Sequence, residues 1–214
     1  MEQAAKTPAV DEDVVSDGEE SRAAPRFTTL IRPAKLISGQ GEFVCVIRDV
    51  SETGISVRMF HKLPSCETLQ LQMPSGDEYE IRNVWHRGSE AGFEFTKPTD
   101  VTNLIHEAGE YPKRGLRLGV YFPVKVSTLT DSCEAFIENV SQQGARIDCE
   151  ELLAINQTIR INGEGFNDVS AKVRWRREGR YGVVFDDTFT LSEFAHLLVE
   201  LQAPVLLDRS PATD

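Results

Sequence analysis

Asp49-Val50-Ser51-Glu52-Thr53-Gly54 returns 90 residues later as Asn139-Val140-Ser141-Gln142-Gln143-Gly144. The same step carries Pro33 and Lys35 to Pro123 and Lys125, His106 to His196, and Trp85, Gly92 and Phe95 to Trp175, Gly182 and Phe185. One fixed interval across so many landmarks marks two copies of one small domain. The polar residues that recur are then the first candidates for a working site.

Around the quoted stretch the sequence reads as strands. Phe43 to Val50 is a mostly apolar run leading into the turn, and beyond it Ile55, Val57 and Met59 alternate with Ser56 and Arg58. Leu69, Leu71 and Met73 alternate with Gln70 and Gln72, and Tyr79 and Ile81 continue toward Trp85. Alternation at period two marks half-buried antiparallel strands. Ser38-Gly39-Gln40-Gly41 and Pro74-Ser75-Gly76-Asp77 supply the turns. In the second copy Ile159 and Ile161 alternate, Asn162-Gly163-Glu164-Gly165 turns, and Val169, Ala171, Val173 and Trp175 alternate again. Each copy closes on a helical pattern, Asp100 to Ala108 and then Ser192 to Leu201, with Ser192 as the expected N-cap. The fold expected is mainly β: two small six-stranded antiparallel β-barrels, each with a C-terminal helix. Trp85 and Trp175 are expected to fill the barrels.

The chain has 214 residues, 40% of them hydrophobic, enough for two domains but with a small core in each. Residues 1–20 read as an acidic tail without fixed structure, 21–108 as the first domain, 109–112 as a linker, 113–203 as the second domain and 204–214 as a C-terminal tail. A linker that short predicts barrels that are packed or closely tethered. Net charge is -11, of which the first twenty residues carry -6 with seven acids and Lys6. That balance argues against a nucleic-acid partner, which needs a broad basic face. It leaves room for a small dianion held by a few local arginines.

Neither a long apolar run nor a signal-peptide pattern is present, so no membrane insertion is expected. Cys45, Cys66, Cys133 and Cys149 follow neither the repeat nor a metal-ligand spacing, and read as reduced thiols of a cytoplasmic protein. His106 and His196 stand one per copy on the closing helices and read as helix-surface or packing residues, with no metal site. Phosphate-cradling loops, HExxH and a nucleophile elbow are all missing, so an enzyme is not expected.

Two motifs carry chemistry. In Asp49-x-Ser51-x-x-Gly54 the side chains could simply cap a hairpin turn, and recurrence as Asn139, Ser141 and Gly144 does not exclude that. Arg22-Ala23-Ala24-Pro25-Arg26 sets two arginines four apart, with Pro25 disfavouring a helix at Ala24. Guanidinium forks suit phosphates and the guanine edge, both of which they engage in a bidentate way.

Together these motifs resemble the PilZ domain family, whose pattern is RxxxR followed by D/NxSxxG on a six-stranded barrel. The resemblance covers both copies. It implies a cytoplasmic receptor for cyclic di-GMP that needs no cofactor, with Arg22, Arg26, Asp49, Ser51 and Gly54 as the ligand-binding set. On that resemblance Arg22 and Arg26 would grip phosphates and the guanine edge, Asp49 would accept from guanine N–H groups, Ser51 would sit near them, and Gly54 would let the ligand approach the backbone. The second copy departs from the pattern: Lys113 replaces the first arginine, and a lysine has no planar fork. Its set of Lys113, Arg117, Asn139, Ser141 and Gly144 is expected to bind weakly or not at all, leaving the second domain for signal output or contact with a protein partner. Spacing also differs, since Arg26 to Pro33 spans seven positions and Arg117 to Pro123 six. The alternative from a different class is a tandem-barrel protein-interaction adaptor that works without nucleotide.

Overall fold

In a computed structural model, residues 27–66, 68–100, 104 and 115–207 are described. The expected acidic tail, the linker, Arg22, Arg26, His106 and Lys113 lie outside them. So does the first closing helix, apart from Asp100 at its start and Leu104, which is helical and buried.

Two closed barrels account for the strands. The first comprises β1 (Phe27–Ser38), β2 (Gly41–Val50), β3 (Gly54–Met59), β4 (Thr68–Gln72), β5 (Glu78–Arg87) and β6 (Glu90–Phe95), closed in the order β1-β2-β3-β6-β5-β4. The second comprises β7 (Leu118–Ser127), β8 (Ser132–Ser141), β9 (Gly144–Cys149), β10 (Thr158–Gly163), β11 (Phe166–Arg177) and β12 (Arg180–Phe185), closed in the same order. All pairings are antiparallel, and the alternating apolar residues fill the interiors: Ile55, Val57, Met59, Leu69, Leu71 and Ile81 in the first barrel, Ile137, Ile147, Ile159, Ile161, Ala171 and Val173 in the second.

The tryptophans depart from expectation. Trp85 and Trp175 are 39% and 43% exposed and lie outside the barrels. The cause is a bulge in each long strand. Asn83 pairs with Phe93 but Trp85 already pairs with Gly92, and Val173 pairs with Val183 but Trp175 with Gly182. One extra residue breaks the period and re-aims the next side chain. The indole then lies across its glycine, where a Cβ at Gly92 or Gly182 would fall 2.0 or 1.9 Å from the Trp Nε1. That contact explains why Trp and Gly recur together.

Helix α1 (Leu191–Gln202) is capped by Thr190, not by Ser192. Thr190 Oγ1 accepts from the Glu193 amide at 3.3 Å, and the Glu193 carboxylate accepts from the Thr190 amide at 2.8 Å. The reciprocal box needs an acid or amide three residues after the cap, which Thr190 has in Glu193; three residues after Ser192 stands Ala195. His196 is on the exposed side of this helix, with Nδ1 2.7 Å from Ser192 O, as the sequence predicts for a surface histidine.

α1 belongs to the second barrel in sequence and also closes on the first. Phe43 is fully buried with Val199, Ala203 and Leu206, while Val44 joins the core of the second barrel. Covering of this kind explains why Phe43 to Ile47 are all buried, whereas the equivalent Cys133 to Ile137 alternate. Pro204–Leu206, inside the segment read as a tail, forms a 3-10 turn whose Leu206 O accepts from the Lys62 amide at 2.9 Å. Polar ties surround this apolar seam. Gln202 exchanges two hydrogen bonds with the Glu42 backbone at 2.8 and 2.9 Å, and the Glu42 carboxylate pairs with Lys35 at 2.8 Å and accepts from the Gly119 amide at 2.6 Å. The barrels are therefore packed, as the short linker predicts. Among the described residues no helix is long and apolar enough to cross a membrane.

Candidate functional site

The six-residue stretch sits in each barrel where the second strand turns into the third. In the first barrel the Ser51 hydroxyl donates to Gly54 O and accepts from the Gly54 amide, both at 3.1 Å, and the Ser51 amide donates to Gly54 O at 2.8 Å. The Ser141 hydroxyl likewise donates to Gly144 O at 3.1 Å. The serines thus hold their own turns. Neither Gly54 nor Gly144 takes a positive φ. Glycine is required there because a neighbouring strand passes close: a Cβ would lie 2.6 Å from Phe93 O at Gly54 and 2.1 Å from Val183 O at Gly144.

The first strands explain the unequal spacing. Phe27 pairs with Val50 and Thr28 with Asp49, just as Leu118 pairs with Val140 and Gly119 with Asn139. The pairing then skips to Arg32 opposite Ile47 in one barrel and to Phe122 opposite Ile137 in the other. The first barrel's bulge holds one residue more, which absorbs the insertion. Arg26 and Arg117 therefore precede equivalent positions, and Arg22 and Lys113 stand four residues earlier in each.

Across the sheet from the motif's first residue the barrels differ. Asp49 pairs with Ser56, whose hydroxyl donates to Asp49 Oδ2 at 3.0 Å and accepts from the Asp49 amide at 3.2 Å. Asn139 pairs instead with Arg146. Glu138 lies at the bulge beside it, which turns its side chain toward the same face. Its carboxylate takes two guanidinium groups, Arg146 Nε at 2.5 Å and Arg180 Nε at 2.9 Å, and the Glu138 side chain is only 13% exposed. The same carboxylate raises the Arg180 pKa, first through the hydrogen bond and then through charge.

Four of the second copy's five sequence-predicted residues line one cleft of about 350 Å³: Arg117, Asn139, Ser141 and Gly144. Arg146, Arg174 and Trp175 complete its polar and aromatic wall. The sequence motif names neither Arg146 nor Arg174. The signal available for Arg146 was its place two residues after Gly144, on the exposed phase of β9. In the first copy Asp49, Ser51 and Gly54 come together at the corresponding turn, while Arg22 and Arg26 fall outside the described residues.

A family model described as PilZ domain matches residues 20–107 and 113–201. No curated protein matches the chain. Among solved structures it is similar to PlzA of Borreliella burgdorferi in complex with c-di-GMP, at 12% identity over 80% of this chain and 88% of that one, with a TM-score of 0.34. It is also similar to YcgR of Escherichia coli in complex with c-di-GMP, at 12% identity over 81% and 82% of the two chains and a TM-score of 0.33. The inhibitor of motility MotI/DgrA of Bacillus subtilis shares 11% identity over 83% of this chain and 98% of that one, with a TM-score of 0.33.

Proposed function

The chain belongs to the PilZ domain family, and from that premise we propose that it is a non-catalytic receptor for cyclic di-GMP. The observation that supports this most directly is the strand register: it brings the residue after Arg26 opposite Val50, next to Asp49 and the Ser51–Gly54 turn. A dianion with two guanine edges suits paired guanidinium forks, and the Asp49 carboxylate suits guanine N–H donors. In this reading Arg22, Arg26, Asp49, Ser51 and Gly54 form the ligand set. Ordering an arginine-bearing arm costs roughly 1–2 kcal/mol per residue fixed, which the charge-assisted contacts must outweigh. The second barrel then receives the signal across the seam, since Glu42 on β2 reaches Gly119 at the start of β7.

Calorimetric titration of the full chain with cyclic di-GMP tests this. Binding at micromolar ligand that Arg22→Ala and Arg26→Ala each weaken is expected. Absence of heat from folded protein at tens of micromolar ligand would overturn the proposal and leave an adaptor that works by protein contact.

A further inference from the structure

We propose that Cys133 and Cys149 are a modification site: a thiol pair that forms a reversible disulfide and closes the β8–β9 hairpin at its open end, opposite the Ser141–Gly144 turn. The inference does not depend on which ligand the motif takes.

The two sulfurs are 3.3 Å apart, and both thiols are free in this structure. Strand register puts them there. Cys133 pairs with Val126 on β7, and Cys149 pairs with Ala135 on β8, so the two cysteines are diagonal neighbours across β8 and β9. Their side chains share the barrel's inner phase, Cys133 in step with Ala135 and Ile137, Cys149 in step with Ala145 and Ile147. Sulfurs already in contact at diagonal positions reach bonding distance by side-chain rotation, without sliding the strands.

Duplication does not account for the pair. Ninety residues earlier stand Phe43 and Met59, and the first copy's own cysteines, Cys45 and Cys66, correspond to Ala135 and Asn156. Access is graded between the two sulfurs. Cys133 is partly exposed at the end of the barrel, whereas Cys149 is buried. A thiol that an outside reagent can reach, with a second thiol in contact behind it, is the arrangement of an attacking and a resolving cysteine. The ring they close contains Asn139, Ser141, Gly144 and Arg146, so one bond would hold the whole hairpin that carries the second motif.

Exchange with a small-molecule disulfide supplies the oxidant. The Cys133 thiolate attacks one sulfur of that disulfide, and the other sulfur leaves as a thiolate. Cys149 then loses its proton and attacks the Cys133 sulfur, displacing the second half of the oxidant. The chain gives up two electrons and two protons, and the oxidant becomes two thiols. The surroundings set the pace. Burial, then the hydrogen bond and charge of Cys149, then the carboxylates of Glu151 and Glu134, push the Cys133 thiol up to about 12. A thiol so rarely ionised attacks slowly. The reduced form also gains nothing from ionising, so the disulfide once made resists reduction. The pair therefore responds to sustained oxidation and not to a brief exposure.

The test is incubation of the full chain with oxidised glutathione at about pH 8.5, which raises the thiolate fraction, followed by alkylation, proteolysis and mass spectrometry. The expected product is a peptide pair joined through Cys133 and Cys149 and lighter by two hydrogens, with the fully buried Cys45 recovered as a free thiol. The thermal midpoint should rise by roughly 5–10 °C, the scale for a ring of this length in a chain of this size, and dithiothreitol should reverse the rise. Cys133→Ser, at the partly exposed position, should fold like wild type and lose both changes, and Cys149→Ala should lose them as well. Cys133 left capped by glutathione beside a free Cys149 would overturn the inference, because the second sulfur would then be unable to reach the first. Chains linked to one another through Cys133, thiols that stay free on folded protein after prolonged oxidation, or a linked hairpin whose midpoint does not move would overturn it equally.

Discussion

Phe43→Ala should uncouple the two barrels. Phe43 is fully buried at the seam, packed on Val199, Ala203 and Leu206, with its ring 4.7 Å from the His61 ring. Returning a buried phenylalanine to water forfeits about 1.5–3 kcal/mol of transfer free energy, and the cavity left behind raises the total to about 3–5 kcal/mol. Three side chains from α1 and the turn after it lose their main partner on the first barrel, so little of that hole can be refilled from one side. A reporter for each half is built in, since Trp85 belongs to the first barrel and Trp175 to the second. Urea titrations of Trp85→Phe and Trp175→Phe proteins should give coincident curves with Phe43 present, because the seam makes unfolding cooperative. With Phe43→Ala the two curves should separate. Leu129→Ala, at a fully exposed site, should stay within about 0.5 kcal/mol of its parent. A loss below about 1 kcal/mol at Phe43 by both reporters would refute its placement at the centre of the interface.

Thr190→Ala removes the capping box of α1 and should cost about 1 kcal/mol, a fall of about 2–4 °C in Tm for a chain of this size, read by calorimetry. Gly182→Ala places a methyl 1.9 Å from Trp175 Nε1, so the ring must leave the sheet; a red shift in Trp175 emission in the Trp85→Phe background should report it, and an unchanged spectrum would contradict the packing. His61 is buried and its pKa is lowered by desolvation, partly opposed by the Lys62 carbonyl and reinforced by the His196 charge. The unfolded chain then binds more protons than the folded one below the ordinary value of 6.5, so this group's contribution is present above 6.5 and is lost as pH falls toward the lowered folded value. Denaturant midpoints should accordingly drop between pH 7 and pH 5, and His61→Phe should flatten that drop.

Much of the fold was legible because one signal was repeated. Ile55, Val57 and Met59, and again Ile159 and Ile161, alternate as strands with one buried face, and their side chains line the barrels as read. What failed were places where the period itself breaks. Trp85 and Trp175 continue the alternation of Ile81 and Val173 on paper, yet a single bulged residue in each strand puts them outside. A bulge leaves no mark in composition. The recurring Trp–Gly pairs were the clue, since only a glycine admits an indole lying flat on the next strand. The cap at Thr190 was missed for a different reason: Ser192 has the right side chain, but the partner three residues on decides the box.

The candidate site was legible only as far as the motif reached. The motif names Asn139, Ser141 and Gly144, and the structure brings them to one cleft with Arg117. Two of those residues turn out to have structural work of their own, the serine holding its turn and the glycine admitting β12. Arg146 and Arg174 come from other strands, and only the register of a closed barrel brings them there.

Divergence between the copies is concentrated on outward faces, and it sorts by face. Interior positions changed within the apolar class, as Met59 to Cys149 and Val57 to Ile147, because each barrel must still close on its own core. On β2 the outer positions are buried and apolar, Val44 and Val46, where β8 carries the exposed Glu134 and Phe136, and this face lies under α1. Around the motif of the second copy the outer positions changed in charge instead, with Arg146 and Arg174 where the first copy has Ser56 and Val84, and Glu138 where it has Arg48. One barrel's free face was thus given to the partner barrel, while the other's stays open around its motif. Glu42 joins the two regions, since the carboxylate beside the seam is the group that holds Gly119, and Gly119 pairs with Asn139. Any shift of β7 that accompanies occupation of the cleft must therefore be felt at the seam, which gives the duplicated scaffold a physical route for a message between its halves.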